Sequence, residues 1–287
     1  MNEYKDKQDV KDMITFSTGE DQLQRHDKLM DNPRQYELYV TQVDDYNALI
    51  QVDLGLRDVA PVPAYFWLLG IQVEILDPGE DGFYQAHERD ALLGLEAEII
   101  ETMETEGHAR FVGSVTYAGT RMMYFYGQDE NYLPPIVGSL AAKHEDYEFN
   151  FMSEKDGPWR FFFNSLYPAD VDMMHIRNRH MLANLEAAGL DLEATYAVSY
   201  YFYFQDGAAR AQAAAQFQLM GFEIVDDHMY VESLEPMSLG LRIMAHHDLS
   251  YATITEKTYD CFDVMENYVG IFDGWELSPA EDLDKWI

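Results

Sequence analysis

Residues 195–224, TYAVSYYFYFQDGAARAQAAAQFQLMGFEI, change hydrophobic period twice, and few folds accommodate such a segment. The aromatic run ending at Phe204 reads as a strand. Asp206 breaks it and is placed as an N-cap, its carboxylate accepting from a free first-turn N–H. An Ala-rich helix over 207–220 follows, able to lie close to a sheet. Gly221 is placed just past its end because glycine tolerates positive φ. "FEIV" then resumes as a strand. Downstream, "SLGLRIMAHH" predicts another strand. A helix opens at Ser250 with Ile254, Thr258, Cys261, Phe262, Met265, Tyr268 and Val269 on one stripe. Gly270 ends it, and "IFDGWEL" is the last strand. A helix from about Asp170 to Ala188, with Val171, Met174, Met181, Leu182 and Leu185 on one face, leads into this block and stops at Gly189.

The same order recurs upstream. "YFWLLGIQVEIL" reads as a buried strand, and "HERDALLGLEAEIIETMETEG" as a helix ended by Gly107. "ARFVGSVTYAGTRMMYFYG" reads as a hairpin turned at Ala118–Gly119. "LPPIVGSLAAKH" is a helix with its prolines near the start. "YEFNFMS" and "WRFFFNSLY" read as a final hairpin through "EKDGP". Before this block, "YELYVTQV" and "NALIQVDLGL" form a hairpin through Asp44–Asp45. Two blocks of strand, helix, strand, strand, helix, strand predict an α+β chain of two ferredoxin-like, split βαβ domains. Each would carry an antiparallel sheet with helices on one face. The predicted division is a polar extension at 1–33, with a helix near Gly19–Met30, one domain at 34–168 and a second at 169–287.

Charge narrows the function. The chain holds 19 Lys+Arg against 52 Asp+Glu, a net of −33. Nucleic acid is bound by cationic side chains that displace counterions, so direct nucleic-acid binding is disfavoured, and so is an anionic membrane surface. A basic protein partner suits this charge; so does an acidic, salt-adapted proteome without any partner. The 21 acidic and 6 basic residues from Asp170 onward, and the 31 and 13 before it, show that acidity is spread along the chain, which favours the global explanation. The single cysteine, Cys261, permits neither an intramolecular disulfide nor a Cys-based zinc site. The N-terminus lacks an apolar run of signal-peptide length and no span approaches membrane length, which predicts a cytoplasmic protein.

No phosphate-binding Gly-rich loop or nucleophile elbow is present. Cys261 lies on an apolar helix stripe in an acidic chain, the opposite of what a thiolate needs, and reads as packing. His246 and His247 are adjacent on a strand and so point to opposite faces, unsuited to gripping one metal. His175 and His180 are five apart on a helix and, with Arg177 and Arg179, form a rare basic patch. Glu88, Asp90, Glu96 and Glu98 on the first long helix read as a solvated face. No metal and no cofactor is predicted.

The leading helix, the aromatic strand and its following helix carry a resemblance. His180 to Asn184, Tyr201 to Phe204, Gly221 to Glu223 and Asp273 to Trp275 make about the last 110 residues similar to the regulator of ribonuclease E activity B (RraB) family. Ala60–Pro61, Asp81–Gly82, Glu88 to Glu96 and the run Trp159 to Pro168 resemble the DUF695 family, which brings no known activity. The first resemblance implies a non-enzymatic inhibitor that binds the regulatory region of an endoribonuclease, a region rich in basic segments. It transfers no contact residues.

Five consecutive aromatics, Tyr200 to Phe204, must populate both faces of a strand, as must Tyr124–Tyr126 and Phe161–Phe163. One face meets helices. The other exposes rings unless the second sheet, a second copy of the chain or a partner covers it. Domain–domain or self-association ranks first, so a homo-oligomer stands among the expectations. A protein-binding surface that includes Tyr201, Tyr203, Phe204 and Trp275 ranks second, and RNA third. The rival readings are a hydrolytic or metal-assisted enzyme in the first domain, and an immunity or decoy protein against a basic nuclease.

Overall fold

The computed structural model describes residues 28–43 and 46–278. The expected helix near Gly19–Met30 lies largely outside them, as does the Asp44–Asp45 turn. The chain divides into two compact units, Met1–Pro168 and Ala169–Ile287.

The first unit opens with the hairpin β1 (Tyr36–Val43) and β2 (Tyr46–Asp53). The apolar run does not continue as strand beyond Asp53. The Asp53 carboxylate accepts from Gly55 N–H at 3.2 Å and starts a 3-10 turn over Leu54–Asp58. Then come β3 (Trp67–Glu74), α1 (Arg89–Thr105), β4 (Ala109–Tyr117), β5 (Thr120–Gly127), α2 (Leu133–Lys143) and β6 (Phe149–Lys155). The sheet order is β1-β2-β4-β5-β3-β6, antiparallel throughout. The last four strands thus have the ferredoxin-like order, with the hairpin added beside β4. Ala118 and Gly119 both hold positive φ, 49° and 79°, as a two-residue hairpin turn requires. At Gly113, beside the β4 bulge, a Cβ would meet Gln51 O at 2.3 Å, so only glycine lets β2 approach. Leu92, Leu95, Ile99 and Met103 of α1 and Ile136, Val137 and Leu140 of α2 bury one face of the sheet.

The expected strand WRFFFNSLY is instead a π-helical turn over Phe162–Leu166, a correction with a clear cause. Asp156 accepts from Arg160 N–H and Phe161 N–H, each at 2.9 Å, and from the Tyr126 hydroxyl at 2.6 Å. An acid satisfying free amides in this way starts a helical turn, not a strand. Trp159, at φ 57°, stacks on Tyr126 with ring centroids 4.0 Å apart and donates to Tyr65 O at 2.7 Å. Trp159, Phe162 and Leu166 are fully buried. Tyr126 points away from the helices because its neighbour Phe125 is in the helix-side core. The first unit therefore covers its second sheet face with its own chain.

The second unit holds α3 (Asp170–Ala187), β7 (Tyr196–Phe204), α4 (Gly207–Leu219), β8 (Glu223–Asp226), β9 (Leu239–His247), α5 (Tyr251–Met265) and β10 (Gly270–Leu277). Its antiparallel sheet runs β10-β7-β9-β8, again the ferredoxin-like order. Asp206 caps α4, accepting from Ala208 N–H at 2.8 Å and Ala209 N–H at 2.9 Å. Gly221 takes φ 92° past its end, and Ser250 caps α5. The predicted α5 stripe is buried at Ile254, Thr258, Cys261 and Met265. The helix stops at Met265, however, so Tyr268 and Val269 lie outside it and Val269 is exposed. On α3, Met174 and Leu182 are buried, whereas Met181 is exposed.

Candidate interaction surface

Alternation along β7 sorts its aromatics. Val198, Tyr200, Phe202 and Phe204 face the helices and are fully buried. Tyr201 and Tyr203 face the other way and are half-buried. Register extends this second face sideways. Tyr203 pairs with Ile271, which is exposed, and Tyr201 pairs with Arg242 on β9. The Tyr201 hydroxyl donates to exposed Glu276 on β10. Burial first, then this carboxylate, raises the Tyr201 pKa. Tyr203 is raised by burial and by Asp273. Exposed Glu223, Asp273 and Glu276 sit on β8 and β10 of the same sheet. The face thus combines phenol rings and an aliphatic side chain with three carboxylates and the guanidinium of Arg242, a net negative surface suited to a partner that carries both apolar and basic groups.

The other two residues named from sequence lie elsewhere. Phe204 is in the helix-side core. Trp275 is also buried there, with its indole N–H donating to Asn178 Oδ1 at 2.7 Å. Asn178 in turn donates to Thr258 Oγ1 at 3.2 Å, and Thr258 donates to Ile254 O at 2.8 Å. This buried chain ties α3 to β10 and α5. Sequence reasoning missed Asn178, whose signal was a lone amide on the apolar side of an amphipathic helix.

The titratable residues weighed as chemistry fall into structural roles. Cys261 is fully buried, and burial pushes its thiol well above its usual range. His246 is exposed, while His247 turns inward, its Nε2 2.9 Å from the Tyr200 hydroxyl. Burial lowers the His247 pKa. His175 packs against the Tyr259 ring at 4.8 Å, and burial lowers its pKa too.

The solvated-face expectation for α1 needs correction at two positions. Glu88 is buried at its N-terminus, accepting from Leu76 N–H at 2.9 Å and Asp77 N–H at 3.1 Å. Glu96 is buried against Arg121, with both oxygens within 2.8 Å of Nη2. Asp90 is exposed, and Glu98 pairs with Lys143 at 2.7 Å. A buried carboxylate needs such a partner, and the partner lies outside the helix's own sequence. A second buried pair, Asp53–Arg110 at 2.7 Å, was not anticipated. Among the described residues, Asp226, Asp227 and His228 bring three donor atoms within 4.8 Å of one another at the end of β8, Asp226 half-buried and the other two exposed. Among the described residues, no helix is long and apolar enough to cross a membrane.

Comparison with known proteins bears out both resemblances. Residues 34–167 match the model of a family of unknown function, DUF695, and residues 175–277 match that of Regulator of ribonuclease activity B. No curated protein matches the chain. Among solved structures, the chain is similar to a putative glycine cleavage system transcriptional repressor at 12% identity, covering 74% of this chain and 98% of that one, with a TM-score of 0.21. An unknown protein from Galdieria sulphuraria is similar at 10% identity, covering 75% and 99%, also with a TM-score of 0.21. Likeness this low carries no argument about fold or function.

Proposed function

We propose, from the premise that residues 175–277 match Regulator of ribonuclease activity B, that this chain is a non-enzymatic regulator that binds a ribonuclease and restrains RNA turnover. That match is the observation that carries the reading. The second unit supports it with its helix-free sheet face, where half-buried Tyr201 and Tyr203 lie beside exposed Ile271, Glu223, Asp273 and Glu276. Such a surface docks a basic, partly apolar segment of the ribonuclease. Opposite charge brings the two together, and desolvated rings hold them. The net charge of −33 steers the protein toward basic segments and away from the RNA itself. It acts without metal, cofactor or membrane, in the cytoplasm.

The test is a cleavage assay with a purified endoribonuclease that carries a basic RNA-binding region. Added protein should slow cleavage of a fluorogenic RNA, and the inhibition should weaken as salt rises. The protein alone should neither shift the RNA in a gel nor cleave it. Cleavage by the protein alone, or no effect on the ribonuclease at any salt, overturns the reading.

A further inference from the structure

The first unit has an open groove on the helix side of its own sheet. α1 and α2 pack over β4 and β6, and Tyr36, Leu38 and Val40 of β1 stay exposed at 36%, 46% and 58%. These three residues alternate along β1, so they share one face. It is the helix-side face, because the Tyr36 ring lies 5.8 Å from that of Phe111, a residue of the helix-side core. The opposite wall comes from α1. This helix has two apolar stripes. Leu92, Leu95, Ile99 and Met103 are spent on the core, and Leu93, Ala97 and Ile100, spaced i, i+4, i+7, line the groove. Its volume is about 390 Å3. Gln51 and Glu96 also line it, and the Arg34–Glu104 ion pair, at 2.5 Å, crosses from the strand side to α1.

We infer that this groove receives a basic amphipathic helix of a partner protein. Two strands are about 10 Å wide, the diameter of one helix, so the partner would stand beside α1 as the third helix over a six-stranded sheet. Its apolar stripe meets Leu38, Val40, Leu93 and Ile100. Its cations meet exposed Glu101 and the field of the net −33 chain, Glu96 and Glu104 being already paired with Arg121 and Arg34. Charge also argues against a second copy as the occupant, since two chains of net −33 repel. The inference concerns the first unit alone and does not rest on the ribonuclease reading.

The probe is a fluorescent helix of about 18 leucines and lysines, whose length matches α1, with leucines at i, i+3, i+4 and i+7. Its anisotropy is followed with the full chain. A scrambled peptide of equal composition controls for charge. The amphipathic helix should bind at least tenfold more tightly than the scrambled one. Ile100→Asp and, separately, Val40→Asp should cut binding at least tenfold, with the folded state checked by circular dichroism. Phe151→Asp, on edge strand β6, should leave it unchanged. Added aspartates raise the negative charge, so binding that survives Ile100→Asp and Val40→Asp is charge attraction alone and overturns the inference. Two other outcomes also overturn it. One is binding only after residues 1–27 are removed, which assigns the groove to the chain's own N-terminal segment. The other is a dimer that Ile100→Asp dissociates, which assigns it to a second copy.

Discussion

Both units order their core strands the same way and both carry aromatic runs, yet they treat the helix-free face of the sheet differently. In the first unit, Trp159, Phe162 and Leu166 fold back over it and Asp156 fixes the turn that brings them there. In the second, Tyr201 and Tyr203 remain half-buried beside exposed Ile271. Aromatic density is therefore no guide to exposure. What decides is whether a later segment of chain returns to the face. A returning segment converts rings into stability. Where none is described, as beside Tyr203 and Ile271, the rings stay partly at the surface.

Truncation should separate the two most sharply. Trp159→Ala removes a fully buried ring and its hydrogen bond to Tyr65 O, and should cost the first unit about 3–5 kcal/mol. Tyr203→Ala removes a half-buried ring paired across the strand with Ile271 and should cost only about 1 kcal/mol. Urea unfolding of both variants measures this, and equal losses would break the comparison. Asn178→Ala strands the Trp275 indole N–H inside the second unit. It should cost about 1–3 kcal/mol, appearing as faster amide exchange along α3 while the first unit is unaffected.

A smaller effect follows from pH. His175 and His247 both have pKa values lowered from 6.5 by burial. The unfolded chain then binds protons that the folded chain refuses, so stability falls as pH drops through about 6.5 and levels off below the folded values. A second-unit Tm recorded between neutral pH and pH 5 should decline, and His247→Gln should flatten part of that slope. An unchanged Tm would show that neither imidazole is held neutral by the fold.

The elements legible in the sequence were those with local causes. Asp206, Gly221 and Ser250 mark helix ends through their own chemistry, and the stripe on α5 follows from spacing as far as Met265. The misreadings had mixed causes. WRFFFNSLY looks like a strand, yet Asp156 accepts from amides only four and five residues on, held there by Tyr126 from 30 residues away. Glu96 looks solvated until Arg121, 25 residues away, reaches it. The open face was half legible. Alternation requires that Tyr201 and Tyr203 oppose Phe202 and Phe204, but which set meets the helices depends on register with β9 and β10. Phe204 and Trp275 accordingly lie on the helix side.

The most direct test of the account is the affinity of the full chain for an endoribonuclease's basic region, measured by calorimetry with wild type and with the double variant Tyr201→Ala, Tyr203→Ala. The account predicts binding that weakens with salt and drops at least tenfold in the double variant, which stays folded. Equal affinity for both proteins would contradict it.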